Sequence, residues 1–164
     1  MESLTDPSPA LREPAERVSP RARSMWRLGA ALEGAFVVGV AVVTAVVGWT
    51  PWWLAVIVGV LVVAWAAVVP QWRYLVHRWE VTETAVYTQT GWWARERRIA
   101  PMSRIQTVDL SESAVSRLFR LATVTVTTAS AAGALSIAGL DATRARELVA
   151  ELTTRADAVD GDAT

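Results

Sequence analysis

The sequence predicts a membrane-spanning α-helical hairpin followed by a mostly β domain, a curved antiparallel sheet or small sandwich closed by a C-terminal α-helix. Three observations predict it. Two long apolar stretches, residues 28–49 and 52–69, are separated only by Thr50 and Pro51. From Arg78 onward, β-branched and aromatic residues recur in short alternating runs broken by turn residues. The last of the ordered pattern then changes to a helical period. Composition agrees, since hydrophobic residues make up 52% of the 164 and the mean hydropathy is +0.29, above what a soluble domain of this size normally reaches.

Residues 1–24 carry Pro7, Pro9, Pro14 and Pro20 among many charges, with too little apolar surface to offset the entropy of ordering, so a disordered cytoplasmic tail is expected there. The hairpin occupies residues 25–72. At 1.5 Å per residue its stretches reach about 33 Å and about 27 Å, against a hydrocarbon core of about 30 Å. The second is apolar all round and holds no charge, which argues against a buried hairpin of a soluble protein. Arg17, Arg21, Arg23 and Arg27 precede the first span, Arg73 and Arg78 follow the second, and the connecting turn has no basic residue. Positive charge is retained on the cytoplasmic side, so both termini are expected there, in a multi-pass protein of the cytoplasmic membrane. A second span follows the long arginine-rich lead at once, so the first is read as an uncleaved anchor. Trp49, Trp52 and Trp53 at the outer turn, and Trp26, Arg27, Trp72, Arg73, Tyr74 and Trp79 at the inner ends, suit the two interfaces. Ala31, Ala35 and Gly39 on one helix, and Ala55 and Gly59 on the other, are spaced for close helix approach. Glu33 is the one charge inside a span. It lies near enough to the inner end to reach the interface or pair with Arg27.

The β domain is expected over residues 73–156, with strands at 78–82, 85–90, 95–99, 105–110, 123–128 and 135–138 and a short helix at 114–121. In the fifth strand Val124 and Val126 face one way and Thr123, Thr125 and Thr127 the other, as a half-buried sheet requires. Asp141 is placed to cap a final helix whose stripe is Ala145, Leu148, Val149 and Leu152, with Leu140 positioned to staple onto Ala145 and Glu151 four residues before Arg155. Residues 157–164 read as an acidic tail.

A two-span hairpin followed by Arg78-Trp79-Glu80-Val81-Thr82 and then Arg98-Ile99-Ala100-Pro101-Met102-Ser103-Arg104-Ile105-Gln106 resembles the bacterial pleckstrin-homology-like (PH-like) membrane proteins of the YdbS type. Ser116-Arg117-Leu118-Phe119-Arg120-Leu121-Ala122 leading into Thr123-Val124-Thr125-Val126 is similar to that family's segment before a strand, and Ile137-Ala138-Gly139-Leu140 to its lead into the final helix. The likeness covers about residues 28–155 and rests on the order and spacing of its motifs. It departs at Arg120, where the family tends to have glycine; a positive φ at that turn would strain an arginine. The resemblance implies a PH-like domain tethered beneath a bacterial membrane, no catalysis, and action alongside related membrane proteins carrying further copies of the domain.

Chemistry is sparse. Without cysteine there is no disulfide, thiol nucleophile or cysteine metal site, and all 16 basic residues are arginine, which removes lysine chemistry. His77 is the single histidine and has no partner pattern of a base or metal ligand, so it reads as an interface residue. No cofactor and no metal are expected. Acidic residues interrupt the arginines, which argues against a nucleic-acid surface. The segment Gly91-Trp92-Trp93-Ala94-Arg95-Glu96-Arg97-Arg98 is the most suggestive cluster, because Trp92 and Trp93 with Arg95, Arg97 and Arg98 suit an anionic leaflet. Two classes of function follow. One is a non-catalytic interaction or scaffolding module in a membrane assembly, its partner a second copy or a related PH-like membrane protein. The other is a sensor of anionic lipid or envelope stress at the inner leaflet. A small-transporter reading rests on Glu33 alone.

Overall fold

The computed structural model describes residues 13–91, 93–129 and 133–161. Strand β1 (Glu16–Arg17) leads into helix α1 (Arg21–Val46), which turns back into helix α2 (Trp52–Val76). The turn is built from the sequence between the apolar stretches. Gly48 takes φ +83°, the Gly48 amide donates to the Ala45 carbonyl at 3.2 Å and the Trp49 amide to the Thr44 carbonyl at 3.0 Å, so α1 ends in a Schellman motif. Pro51 then opens α2, where its missing N–H costs nothing. Both helices are long and apolar enough to cross a membrane.

The helices meet along Ala30, Gly34, Val38, Ala41 and Ala45 of α1, with Ala55, Gly59, Val62 and Ala66 of α2 on the facing side, all at least partly covered. Gly34 is the closest approach, since a Cβ there would strike Val62. The α1 stripe is therefore one residue away from the expected one. Ala31, Ala35 and Gly39 are exposed on the outside of the hairpin.

Strands β2 (Arg78–Val81), β3 (Ala85–Thr90) and β4 (Glu96–Pro101) continue from β1 as an antiparallel four-stranded sheet in the order β1-β2-β3-β4. A single 3₁₀ turn (Met102–Arg104) passes to a second sheet of β5 (Ile105–Ser111), β6 (Leu121–Thr128) and β7 (Leu135–Asp141), with helix α3 (Ala114–Leu118) between β5 and β6. Helix α4 (Ala142–Gly161) packs across β5, β6 and the 3₁₀ turn. Trp79, Val86 and Ala100 from the first sheet, Leu121, Val124, Val126, Ile137 and Leu140 from the second, and Ala145, Leu148 and Leu152 from α4 form one core. Asp141 caps α4, its carboxylate accepting from the Thr143 amide at 3.1 Å.

Several limits shift by a few residues, the short helix ending at Leu118 and β6 starting at Leu121, and both ends of the chain differ from expectation. The expected disordered tail contains ordered structure from residue 13 on; residues 1–12 lie outside the described residues. Glu16 pairs with Trp79 and Arg17 with Arg78, while Val18 and Ala22 are 4% and 0% exposed in the domain core. Two isolated apolar residues carry no periodicity, so only tertiary contact orders this segment. At the other end, α4 continues to Gly161 through the residues read as the start of an acidic tail.

Candidate functional site

The junction between hairpin and β domain gathers most of the conspicuous side chains. Helix α2 runs past Pro70 without a break to Val76, and β2 starts two residues later. The Arg73 guanidinium lies 4.4 Å over the Trp26 ring, that of Arg23 4.6 Å over Tyr74, and Trp26 packs at 5.2 Å against His77. Trp26, Arg73 and Tyr74, expected as interface anchors, are thus half-buried parts of a neck joining α1 to α2. Trp49, Trp52, Trp53 and Trp72 are exposed, as is Arg27.

His77 is nearly buried, and its Nδ1–H donates to the Arg73 carbonyl at 2.8 Å. Burial, and then the Arg73 guanidinium, push its pKa down to about 4, while the hydrogen bond to that carbonyl opposes the shift. The ring is therefore neutral at pH 7 and acts as a structural spacer in the neck. Gln89 extends this joint: its Nε2 donates to the Val76 carbonyl at 3.2 Å and its Oε1 accepts from Arg97 Nε at 2.9 Å. Arg97 thereby ties β4 to the end of α2.

Pairing of Arg78 with Gln89 puts the β3–β4 turn at the end of the sheet nearest α2. Trp93 in that turn is 87% exposed; Trp92 lies outside the described residues. The arginines expected to reach a leaflet are engaged within the domain. Arg95 and Arg97 approach Glu13 at 3.5 and 3.6 Å, and Arg98 donates to Glu96 at 2.7 Å and to the Ala134 carbonyl at 3.1 Å. These pairs are exposed and individually weak, but they answer much of the cluster's positive charge.

Glu33 lines a cavity of about 390 Å³ with Trp26, Trp65, Arg73, Ser113 and Val115. No ion pair joins it to Arg27 among the described residues. The cavity shows that α3 sits against the hairpin near the domain end of the apolar stretches. Ser113 and Val115 supply this contact, which sequence reading missed because a five-residue helix has too few turns to show a face; Leu118 is 75% exposed. No group of three or more metal-ligating side chains occurs among the described residues.

A β domain of two antiparallel sheets closed by a C-terminal helix, set on an apolar hairpin, now has its counterpart among known proteins: residues 30–156 match the bacterial PH domain family. The chain belongs to that family. It is 32% identical over 161 residues to the UPF0699 transmembrane protein YdbS of Bacillus subtilis (strain 168), covering 92% of this chain and 98% of that one. No solved structure matches the chain. The family match starts inside α1, so hairpin and β domain together form the family unit, and the exposed apolar helices are membrane spans.

Proposed function

We propose that this bacterial PH domain protein is a non-catalytic interaction module of the cytoplasmic membrane, with both termini cytoplasmic, that docks a second copy or a related PH-like membrane protein through the edge of its second sheet. The open edge of β5 carries the reading. Over seven residues β5 pairs with β6 alone among the described residues, its one charged side chain is Asp109, and Leu110 is 38% exposed. By contrast the β4 edge of the first sheet is blunted by Glu96, Arg97, Arg98 and Pro101 in the manner of a protected edge strand. Strand addition at β5 supplies main-chain hydrogen bonds to a partner. Because β5 runs into α3 beside the hairpin, a partner anchored in the same membrane reaches it at high effective concentration. Arginine at both inner ends of the hairpin, and none in the outer turn, supports the orientation.

The test is purification of full-length protein from native membranes in mild detergent, with the mass of the complex and its companions determined. A defined homo-oligomer or stoichiometric protein companion is expected, dispersed by Leu110→Lys with the monomer still folded. A monomer accompanied only by anionic lipid overturns the docking reading. That result would instead favour a sensor of anionic lipid at the inner leaflet.

A further inference from the structure

The end of the domain nearest the hairpin holds a second basic site, unrelated to the β3–β4 turn. Arg21 of α1, Arg117 of α3, Arg120 of the turn after α3 and Arg146 of α4 line one cavity of about 440 Å³, with Glu112 and Asp141 as its acidic members. Two of the arginines are answered inside the domain: Arg21 meets Asp141 at 2.9 Å and Arg146 meets Glu112 at 3.1 Å. Arg117 and Arg120 have no side-chain hydrogen bond or ion pair among the described residues, so the cavity keeps an excess of two positive charges. The start of α4 contributes no free anion site, because the Ala142 amide donates to the Arg120 carbonyl at 3.0 Å and the Thr143 amide to Asp141. The guanidiniums alone carry the attraction.

Position selects the anion. Arg21 lies seven residues before the apolar stretch of α1 begins at Leu28, about 10 Å along the helix axis. The polar layers of a bilayer add about 5–7 Å on each side of the hydrocarbon, so Arg21 stands at their outer edge and α3, against the hairpin, stands closer in. Arg117 stands on the same short helix as Val115, which touches the cavity beside Glu33 and Trp65, and next to Leu118, 75% exposed. Exposed apolar side chains beside unanswered arginines make a surface of the kind that suits the headgroup layer. Arg120 stands at φ +55°, a conformation that favours glycine and is strained for arginine.

We infer that the cavity between α3 and the start of α4 binds the headgroup phosphate of an anionic lipid of the membrane the hairpin spans, through Arg117 and Arg120. This binding goes beyond the docking at β5 and is independent of it. The experiment uses full-length protein in a neutral detergent, and follows thermal unfolding as phosphatidylglycerol, phosphatidylcholine or inorganic phosphate is added. Phosphatidylglycerol is expected to raise Tm, less so at high salt, and phosphatidylcholine to leave it unchanged. The Arg117→Gln/Arg120→Gly variant, whose glycine relieves the positive φ, is expected to fold and to lose more than half of that rise, while Arg95→Gln/Arg98→Gln keeps it. Equal responses of wild type and the Arg117/Arg120 variant, equal responses to the two lipids, or loss in the Arg95/Arg98 variant alone each overturn the site. An equal rise with inorganic phosphate overturns its assignment to lipid. A complex that survives purification in either variant leaves docking at β5 as a separate result.

Discussion

The burial of His77 in the neck couples folding to its protonation. Its folded-state pKa, about 4, lies below the ordinary histidine value of 6.5. The unfolded chain therefore binds the proton more tightly than the folded one. The share of stability that depends on His77 is complete above pH 6.5, and is expected to fall as pH drops from about 6.5 toward 4 and to level off below that. His77→Gln, able to keep a donor toward the Arg73 carbonyl, is expected to flatten this part of the stability profile. Thermal unfolding of wild type and variant in detergent between pH 4 and 8 checks it; parallel profiles would remove His77 as the cause. From sequence, His77 reads as an interface residue; the structure buries it in the neck, where its partners Trp26 and Arg73 are 51 and four residues away and no spacing rule joins them. Arg120 is a contrasting case. The doubt raised by its position where relatives tend to have glycine is met by an observed φ of +55°.

At the scale of elements, α1 belongs to two structures at once. Its upper turns pair with α2 around Gly34, and its first turn packs on β7 at Gly139. Gly139 takes φ +80°, and a Cβ there would come within 2.9 Å of the Ala22 Cβ. Both backbone strain and the lost approach oppose a side chain, so Gly139→Ala is expected to cost about 1–2 kcal/mol and to loosen the base of α1 from the domain. Hydrogen exchange at residues 16–24 reads the loosening directly, and unchanged protection there would show that the contact is not a clamp. Strand positions 78–82, 85–90 and 105–110 and the Asp141-capped helix were legible because alternation, turn residues and caps act locally. The ordering of residues 13–24 was not, since one valine and one alanine gain their burial from strands and a helix far along the chain. The same limit applies to the α1 stripe, where several registers of small residues share the spacing and only the crossing with Val62 selects among them.

The whole molecule is consequently a single unit of hairpin and β domain, rather than a domain hung on an anchor. Helix α2 enters the domain unbroken, β1 forms its first-sheet edge, and Val18 and Ala22 complete its core. A fragment of residues 73–164 lacks all three supports. Losing the burial of Val18 and Ala22 alone costs about 2–4 kcal/mol at ordinary transfer values, a large share of a small domain's stability. That fragment is expected to bind a hydrophobic dye and to show weak near-ultraviolet dichroism, whereas a chain starting at residue 13 gives a native signal in detergent. A rigid, dye-free fragment would mean that the domain folds without its N-terminal contacts. Membrane spans, their approximate limits, the mostly β domain and its closing helix were determined by the sequence alone, because hydropathy, periodicity and capping are properties of neighbouring residues. The neck of Trp26, Arg73 and His77, the internal pairing of Arg95, Arg97 and Arg98, and the convergence of Arg21, Arg117, Arg120 and Arg146 were decided only by tertiary structure. Charge and ring contacts depend on distances in space that the chain's own spacing does not encode.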